Sequence, residues 1–264
     1  MCSSDLRAVS ELVFVPHAAP LVAGQLIGRR KRFFADVLLA SGERVVAHCV
    51  NTGRMEGLLV PGRRVLLSPA RPGRKLAYTW ELLELDSGWL GVNTIMANRL
   101  VRAVLEARVL RGFRRFSELS AEYPYGEASR VDFRLASKSR EHFIEVKNCH
   151  LVYPDRVAYF PDAESERALR HLEELTRVVK SGRAASVIFT VQRTDALRVR
   201  PSDVHDPRFA AAARRAGRAG VAFRALAIRP TPLGYRVLGE LPVDLAPYDL
   251  TPVHRYREAL AQTP

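Results

Sequence analysis

Three side chains in the stretch VDFRLASKSREHFIEVKN could do chemistry together: Asp132, Glu145 thirteen residues later, and Lys147 two beyond that. Side chains alternate across a β-strand, so in FIEVKN Glu145 and Lys147 share one face while Ile144 and Val146 take the other. In the preceding run Val131, Phe133 and Leu135 are expected on one face, with Asp132 and Arg134 opposite. If the two runs pair, Asp132 and Glu145 converge on one polar surface beside Lys147. Two carboxylates there make a hard oxygen site suited to Mg²⁺ or Mn²⁺. Such an ion acidifies a nearby water and polarises a phosphate oxygen. A fixed ammonium can orient that water or offset charge developing at phosphorus. The chemistry is metal-assisted cleavage of a phosphodiester. The same E-x-K spacing also suits a plain ion pair on the outer face of a hairpin, which is worth little. One compositional feature favours the first reading: only five of the 41 basic residues are Lys, and position 147 is one of them. A compact ammonium is not interchangeable there with a guanidinium fork.

The elements that must hold these residues fall into two textures. Residues 21–28, 33–39, 44–50, 64–68, 76–83 and 89–92 read as short strands, with turns at Ser41-Gly42, Pro61-Gly62, Pro72-Gly73 and Ser87-Gly88. Strands at such spacing predict a small β-barrel of OB-fold type over residues 1–95. After Asn93 the pattern changes to a helix over 98–110, strands at 130–136 and 142–149, and a long helix over 162–180. A strand at 186–192, a helix at 209–217 and a strand at 221–229 follow. Alternating strands and helices predict an α/β sheet domain over 96–243. Residues 244–264 form a Pro-containing tail with no predicted element.

A net charge of +13 and a pI near 10.3 favour polyanionic partners, of which nucleic acid is the commonest. The same Arg-rich balance is what a GC-rich coding sequence would produce. No run is apolar and long enough for a transmembrane helix. Asp5 and Glu11 stand where a signal peptide needs a basic start and an unbroken apolar core, so a soluble cytoplasmic protein is expected. Cys2, Cys49 and Cys149 are too few and too far apart for a disulfide framework or a four-ligand zinc site. Reduced thiols are expected.

Other stretches have two readings each. In GRRKRFF, Arg29, Arg30 and Lys31 could hold phosphates while Phe33 or Phe34 stacks a base. The same residues could equally be a core aromatic and a solvated hairpin end. Tyr78 and Trp80 are better read as packing than as a stacking platform. His48, Cys49 and Asn51 are better read as the approach to an Asn-Thr-Gly turn than as ligands. Arg54, at the end of that turn, could touch phosphate. Asp162 is read as the N-cap of the long helix. That helix sets Arg167 and Arg170 beside His171 as a phosphate-contact face, and Arg214, Arg215 and Arg218 on a later helix add to the positive field.

These motifs, in this order, resemble the sugar fermentation stimulation protein A family from about residue 20 to residue 243. KRFFADVLL with GERVVAHCVNTGRMEGLLVPG looks like its N-terminal signature, and RKLAYTWELLEL and WLGVNTIMANRLV like its central ones. YGEASRVDF, FIEVKN, FPDAESERALRHLEEL and VIFTVQR resemble its C-terminal half. The resemblance implies an OB-fold-like barrel joined to a restriction-endonuclease-like domain of the PD-(D/E)xK type. It also implies DNA binding with little sequence preference and a regulatory link to sugar (maltose) metabolism in bacteria. On that pattern Asp132, Glu145 and Lys147 are the catalytic residues, with Asp132 and Glu145 as the metal ligands. A nuclease cleaving DNA, or RNA less readily, with Mg²⁺ or Mn²⁺ is the alternative to a protein that only binds. Arg29, Arg30, Lys31, Arg54, Arg130, Arg167 and Arg170 are the expected nucleic-acid contacts. The chain departs from the pattern at Ala103, where the family carries Glu. Either Glu106 one turn on replaces that acid or the acid is missing.

Overall fold

The computed structural model of the chain describes residues 11–125 and 129–261. Strand β1 (Val13–Pro16) precedes a run of short strands: β2 (Val22–Arg30), β3 (Phe34–Leu39), β4 (Arg44–His48), β5 (Arg64–Pro69), β6 (Tyr78–Leu85) and β7 (Gly88–Gly91). These strands come from alternating apolar residues. In β3, for example, Ala35, Val37 and Leu39 are buried while the residues between them are partly open. The sheet order is β4-β3-β2-β5-β6-β7, and a parallel pairing of Ala47 with Tyr78 and His48 with Thr79 joins β4 to β6. That pairing closes a five-stranded OB barrel. Trp80, Leu67, Leu83 and Leu26 fill it, and the Trp80 indole N–H donates to the Leu82 carbonyl at 2.9 Å. Tyr78 and Trp80 are therefore packing residues, as expected.

Beyond the barrel come α1 (Met96–Glu106), β8 (Glu118–Tyr125), β9 (Ser129–Ser137), β10 (Arg140–Cys149), β11 (Leu151–Val152), β12 (Val157–Phe160) and α2 (Glu166–Lys180). Then follow β13 (Ala184–Val191), β14 (Arg198–Pro201), α3 (Pro207–Ala219), β15 (Ala222–Thr231), β16 (Gly234–Leu241) and α4 (Thr251–Ala261). A seven-stranded sheet runs in the order β1-β16-β15-β13-β10-β9-β8, with β10, β13 and β15 mutually parallel at its centre. Helices α2 and α3 cover one face and α1 the other. Buried on both sides, the central strand β13 reads as an almost unbroken apolar run. A small sheet of β11, β12 and β14 stands beside it.

Three local expectations are corrected. Residues 13–16 are not part of the barrel. As β1 they pair with β16 at the edge of the large sheet, which ties the start of the described chain to the α/β domain. Residues 251–261 are helical, and Val253 of α4 packs on Leu151, Tyr153 and Tyr159. The N-cap of α2 is Ser165, whose hydroxyl accepts from the Ala168 N–H at 3.2 Å. Asp162 instead reaches the barrel. It accepts from the Arg54 N–H at 2.9 Å and lies 3.5 Å from His150 Nε2. Gly53 permits this contact, because a Cβ there would lie 2.5 Å from Asp162 Oδ2. Asn51 Oδ1 accepts from the Gly53 N–H at 2.9 Å, which forms the turn read from Asn-Thr-Gly. The barrel and the sheet domain also share a core, in which Leu66 and Leu82 join α1 residues such as Leu100 and Val104. Cys49 and Cys149 are buried free thiols, whereas Cys2 lies outside the described residues. Among the described residues no helix is long and apolar enough to cross a membrane.

Candidate functional site

The β9–β10 ladder runs from Arg140 opposite Ser137 to Ile144 opposite Phe133 and stops there. Continued by one step, the same register would set Glu145 against Asp132. The strands part instead, and the Val146 N–H, freed from the ladder, donates to Asp132 Oδ2 at 2.7 Å. On the other edge of β9, Ala121 pairs with Phe133 and Tyr123 with Val131, but Glu122 and Asp132 between them do not pair. Glu122 there has φ of 50°, a conformation that non-glycine residues seldom adopt. Asp132 thus sits at a kink in β9. The kink breaks the expected alternation: Phe133 and Leu135 face the α1 core, but Val131 packs into the α2/α3 core. Asn98 on α1 completes the support by donating from Nδ2 to Asp132 Oδ1 at 2.7 Å.

Strand β10 stays regular because its other edge is held along its length by β13. Glu145 and Lys147 therefore do share a face, the one toward α2. Glu145 is 3% exposed. Its Oε1 accepts from Lys147 Nζ at 2.7 Å and from His171 Nδ1, which places the imidazole proton on Nδ1. Its Oε2 is buried with no hydrogen-bond partner. An acceptor left so is costly unless something positive meets it.

The electrostatics separate the two acids. Burial alone would raise the Glu145 pKa, but the His171 bond and the Lys147 charge outweigh it and hold the carboxyl below its ordinary range. Asp132 is raised, first by burial and then by the negative charge of Glu145, against the opposing bonds from Val146 and Asn98. Burial and the Glu145 charge also push the nearby Tyr125 phenol up. The pair is short of positive charge. Two hard carboxylates, one with an unmet buried oxygen and one disfavoured as an anion, fit a divalent ion. Among the described residues no group of three or more His, Cys, Asp or Glu is arranged to hold a metal. An ion here would take its remaining ligands from water and phosphate oxygens, as Mg²⁺ commonly does.

A family model described as the sugar fermentation stimulation protein RE domain matches residues 95–234, and one described as the SfsA N-terminal OB domain matches residues 27–92. The sugar fermentation stimulation protein homolog of Pelobacter propionicus is 44% identical over 227 residues, 86% of this chain and 98% of that protein. The chain belongs to the sugar fermentation stimulation protein family. The homolog of Synechococcus elongatus is 42% identical over 86% of this chain and 96% of its own length. Pyrococcus furiosus SfsA, solved in complex with Ca²⁺, is similar at a TM-score of 0.80 and 26% identity, covering 89% of this chain and 99% of that one.

Within this family frame the remaining residues sort by their contacts. Ala103 is half-buried against the α1 core, and Glu106 is exposed and paired with Arg102 at 2.9 Å. Neither adds a carboxylate to the centre. His171 is buried against Glu145, so it is not part of a surface phosphate face, while Arg167 and Arg170 on the same helix are exposed. Arg29 is a structural residue: its guanidinium donates to the carbonyls of Asn51, Gly53 and Arg32 at 2.7–3.1 Å. Arg30 is engaged with Asp36 at 2.6 Å and lies over the Phe34 ring. Lys31, Arg54 and Arg130 are exposed, and Lys31 and Arg54 line one shallow depression of about 370 Å³ together with Arg32. Arg214 is tied to Asp203 at 2.6 Å. Sequence reasoning did not place Asn98 or His171 at the centre. Their signal, polar residues inside otherwise apolar helical stripes, is shared with any surface helix position.

Proposed function

We propose that the chain binds DNA with little sequence preference and that Asp132, Glu145 and Lys147 form a Mg²⁺- or Mn²⁺-dependent phosphodiester-cleaving centre within it. The observation that carries this reading is the partnerless buried Oε2 of Glu145 beside a second, destabilised carboxylate. The relative solved with Ca²⁺ adds support for a divalent ion in this fold. Asp132 and Glu145 would hold the ion, which supplies a Lewis acid for the phosphate and a more acidic water. Lys147, held at 2.7 Å from Glu145, places a positive charge where a phosphate would gain negative charge. His171 and Asn98 fix the two carboxylates and need not touch substrate.

The net charge of +13 supports the binding half. Affinity drawn from phosphate contacts falls steeply with salt and discriminates little among sequences. Binding to DNA would also be the route by which the protein bears on sugar metabolism. The experiment is retardation of unrelated duplexes across a salt series, run beside plasmid cleavage with Mn²⁺. Similar affinities with a negative salt slope, and cleavage lost in Lys147→Ala, are expected. Salt-insensitive binding would overturn the binding half. An unchanged cleavage rate in Lys147→Ala would overturn the assignment of the centre.

A further inference from the structure

A second buried carboxylate lies outside this centre. Glu81 on β6 is 7% exposed and lines a cleft of about 640 Å³ between the barrel wall and the start of α1. Its partners are all neutral: Ser68 Oγ donates to Oε1 at 2.7 Å, and Asn93 Nδ2 reaches Oε1 at 3.1 Å and Oε2 at 3.0 Å. Among the described residues no Lys, Arg or His forms an ion pair with it, in contrast to Glu145, which has Lys147. A carboxylate offers about four acceptor positions, so at least one on Oε2 remains for a group entering the cleft. A buried anion without a cation is costly, and a ligand donating N–H bonds would offset that cost.

The rim carries the opposite charge. Arg71, Arg74, Lys75 and Arg99 line the cleft, are all exposed, and have no ion-pair partner among the described residues. Four cations without an ion-pair partner, of which Arg99 donates to Met96 Sδ at 3.5 Å, around a buried acceptor call for a ligand with an anionic end and a donor end. A sulfate or a simple carboxylate would satisfy the rim and leave Glu81 unmet. A phosphorylated nucleoside satisfies both: its phosphates reach the rim, and a base amine or ring N–H reaches Glu81. The half-buried Phe34 ring and the exposed Ile95 supply apolar wall for the base.

We propose that this cleft is a nucleotide site, with Glu81 reading the base edge and the Arg71–Lys75 segment and Arg99 holding phosphate. Helix α1 connects it to the acid and lysine centre. Met96 and Arg99 line the cleft, while Asn98, between them in sequence, holds Asp132. The same turn of α1 therefore walls the cleft and supports the carboxylate pair. The ligand is either a free nucleotide or the terminal nucleotide of a single strand, and the second source rests on the nucleic-acid reading above.

The test is calorimetric titration of the full chain with the four nucleoside monophosphates, ribose 5-phosphate, inorganic phosphate and a 5′-phosphorylated tetranucleotide. Nucleotides are expected to bind at least tenfold more tightly than ribose 5-phosphate, the worth of one charge-assisted hydrogen bond. Glu81→Gln should remove that advantage and leave phosphate binding unchanged, and an Arg74→Ala/Lys75→Ala double variant should weaken both. The double variant changes only exposed side chains, so it tests the site even if Glu81→Gln fails to fold. Ribose 5-phosphate binding as tightly as nucleotides, or nucleotide affinity unaltered in either variant, would overturn the proposal. Tighter binding of the tetranucleotide supports the strand end as the source, and preference for the monophosphate supports a free nucleotide. Nucleotide binding without duplex retardation would leave this site standing while the DNA reading fell.

Discussion

Replacing Asp132 tests whether the centre is short of a cation. The carboxylate accepts two hydrogen bonds of 2.7 Å, from the Val146 N–H and the Asn98 amide. In Asp132→Asn the new amide oxygen can still take the Val146 N–H. Asn98 can turn its own oxygen toward the new amide group, so both bonds survive and one buried charge disappears. Since burial and the Glu145 charge disfavour that charge, metal-free stability should stay within about 1 kcal/mol of wild type or rise. Asp132→Ala leaves both donors unmet, at a cost of about 2–4 kcal/mol. For a chain of this size each kcal/mol moves the melting temperature by roughly 2–4 °C. The Ala variant should therefore melt roughly 5–15 °C lower. Mn²⁺ at a hundred times its dissociation constant should add about 2.7 kcal/mol to wild type and nothing to either variant. Circular-dichroism melts in EDTA and in Mn²⁺ measure all of these quantities. If Asp132→Asn melts as low as Asp132→Ala in EDTA, or keeps the full Mn²⁺ gain, the charge is not a cost relieved by a cation.

The Mn²⁺ gain should also depend on pH. A raised Asp132 pKa favours the metal-free fold at low pH, and that advantage is lost as pH rises through the raised value. Acidification should therefore erase the Mn²⁺ gain at a pH above the ordinary Asp value of 3.8, as melts over a pH series would show. Asp162 has the opposite sign. Burial would raise its pKa, but His150 and the Arg54 and Met55 amides outweigh it and bring it to about 2. Its stabilisation is present above 3.8 and is lost as pH falls through about 2. Asp162→Asn should cost about 2 kcal/mol at neutral pH, and denaturant titrations should show the difference closing near pH 2. Arg54→Ala should weaken DNA binding and lower the magnitude of its salt slope by about 1, with little change in melting. Arg29→Ala should lower the melting temperature instead, because the Asn51 and Gly53 carbonyls lose their donor.

The parts of the centre legible in the sequence are those governed by local periodicity. FIEVKN places Glu145 and Lys147 on one face because β10 keeps its pairing with β13 through the whole motif. The Val131–Phe133–Leu135 alternation misleads because Asp132 loses its backbone partners on both edges, and no local pattern encodes that. Asn98 and His171 are hidden for a different reason: each lies on a helix about 25 to 35 residues from its carboxylate and meets it only by packing. The barrel strands are readable from their turns, since Gly at positive φ recurs at Gly42, Gly62, Gly73 and Gly88, where the chain reverses. Strand β1 is not readable as a member of the α/β sheet, because its partner β16 lies more than 200 residues on.

Helix α1 joins the barrel to the sheet domain. Its buried stripe, including Leu100, Val101 and Val104, packs against the sheet and against Leu66 and Leu82 of the barrel, so the helix cannot shift relative to either domain without breaking a shared core. On this rigid element Asn98 sets the position of Asp132, and Met96 and Arg99 wall the Glu81 cleft. Asn98, the apolar stripe and Arg99, all on α1, thus join carboxylate pair, barrel and cleft. A change confined to α1, Asn98→Ala, should therefore lower cleavage by displacing Asp132 while leaving nucleotide affinity in the cleft within about twofold, since Arg99 and Glu81 keep their supports. Paired kinetic and calorimetric measurements would check this. Equal loss of both would mean that the helix carries one continuous site and not two adjoining ones.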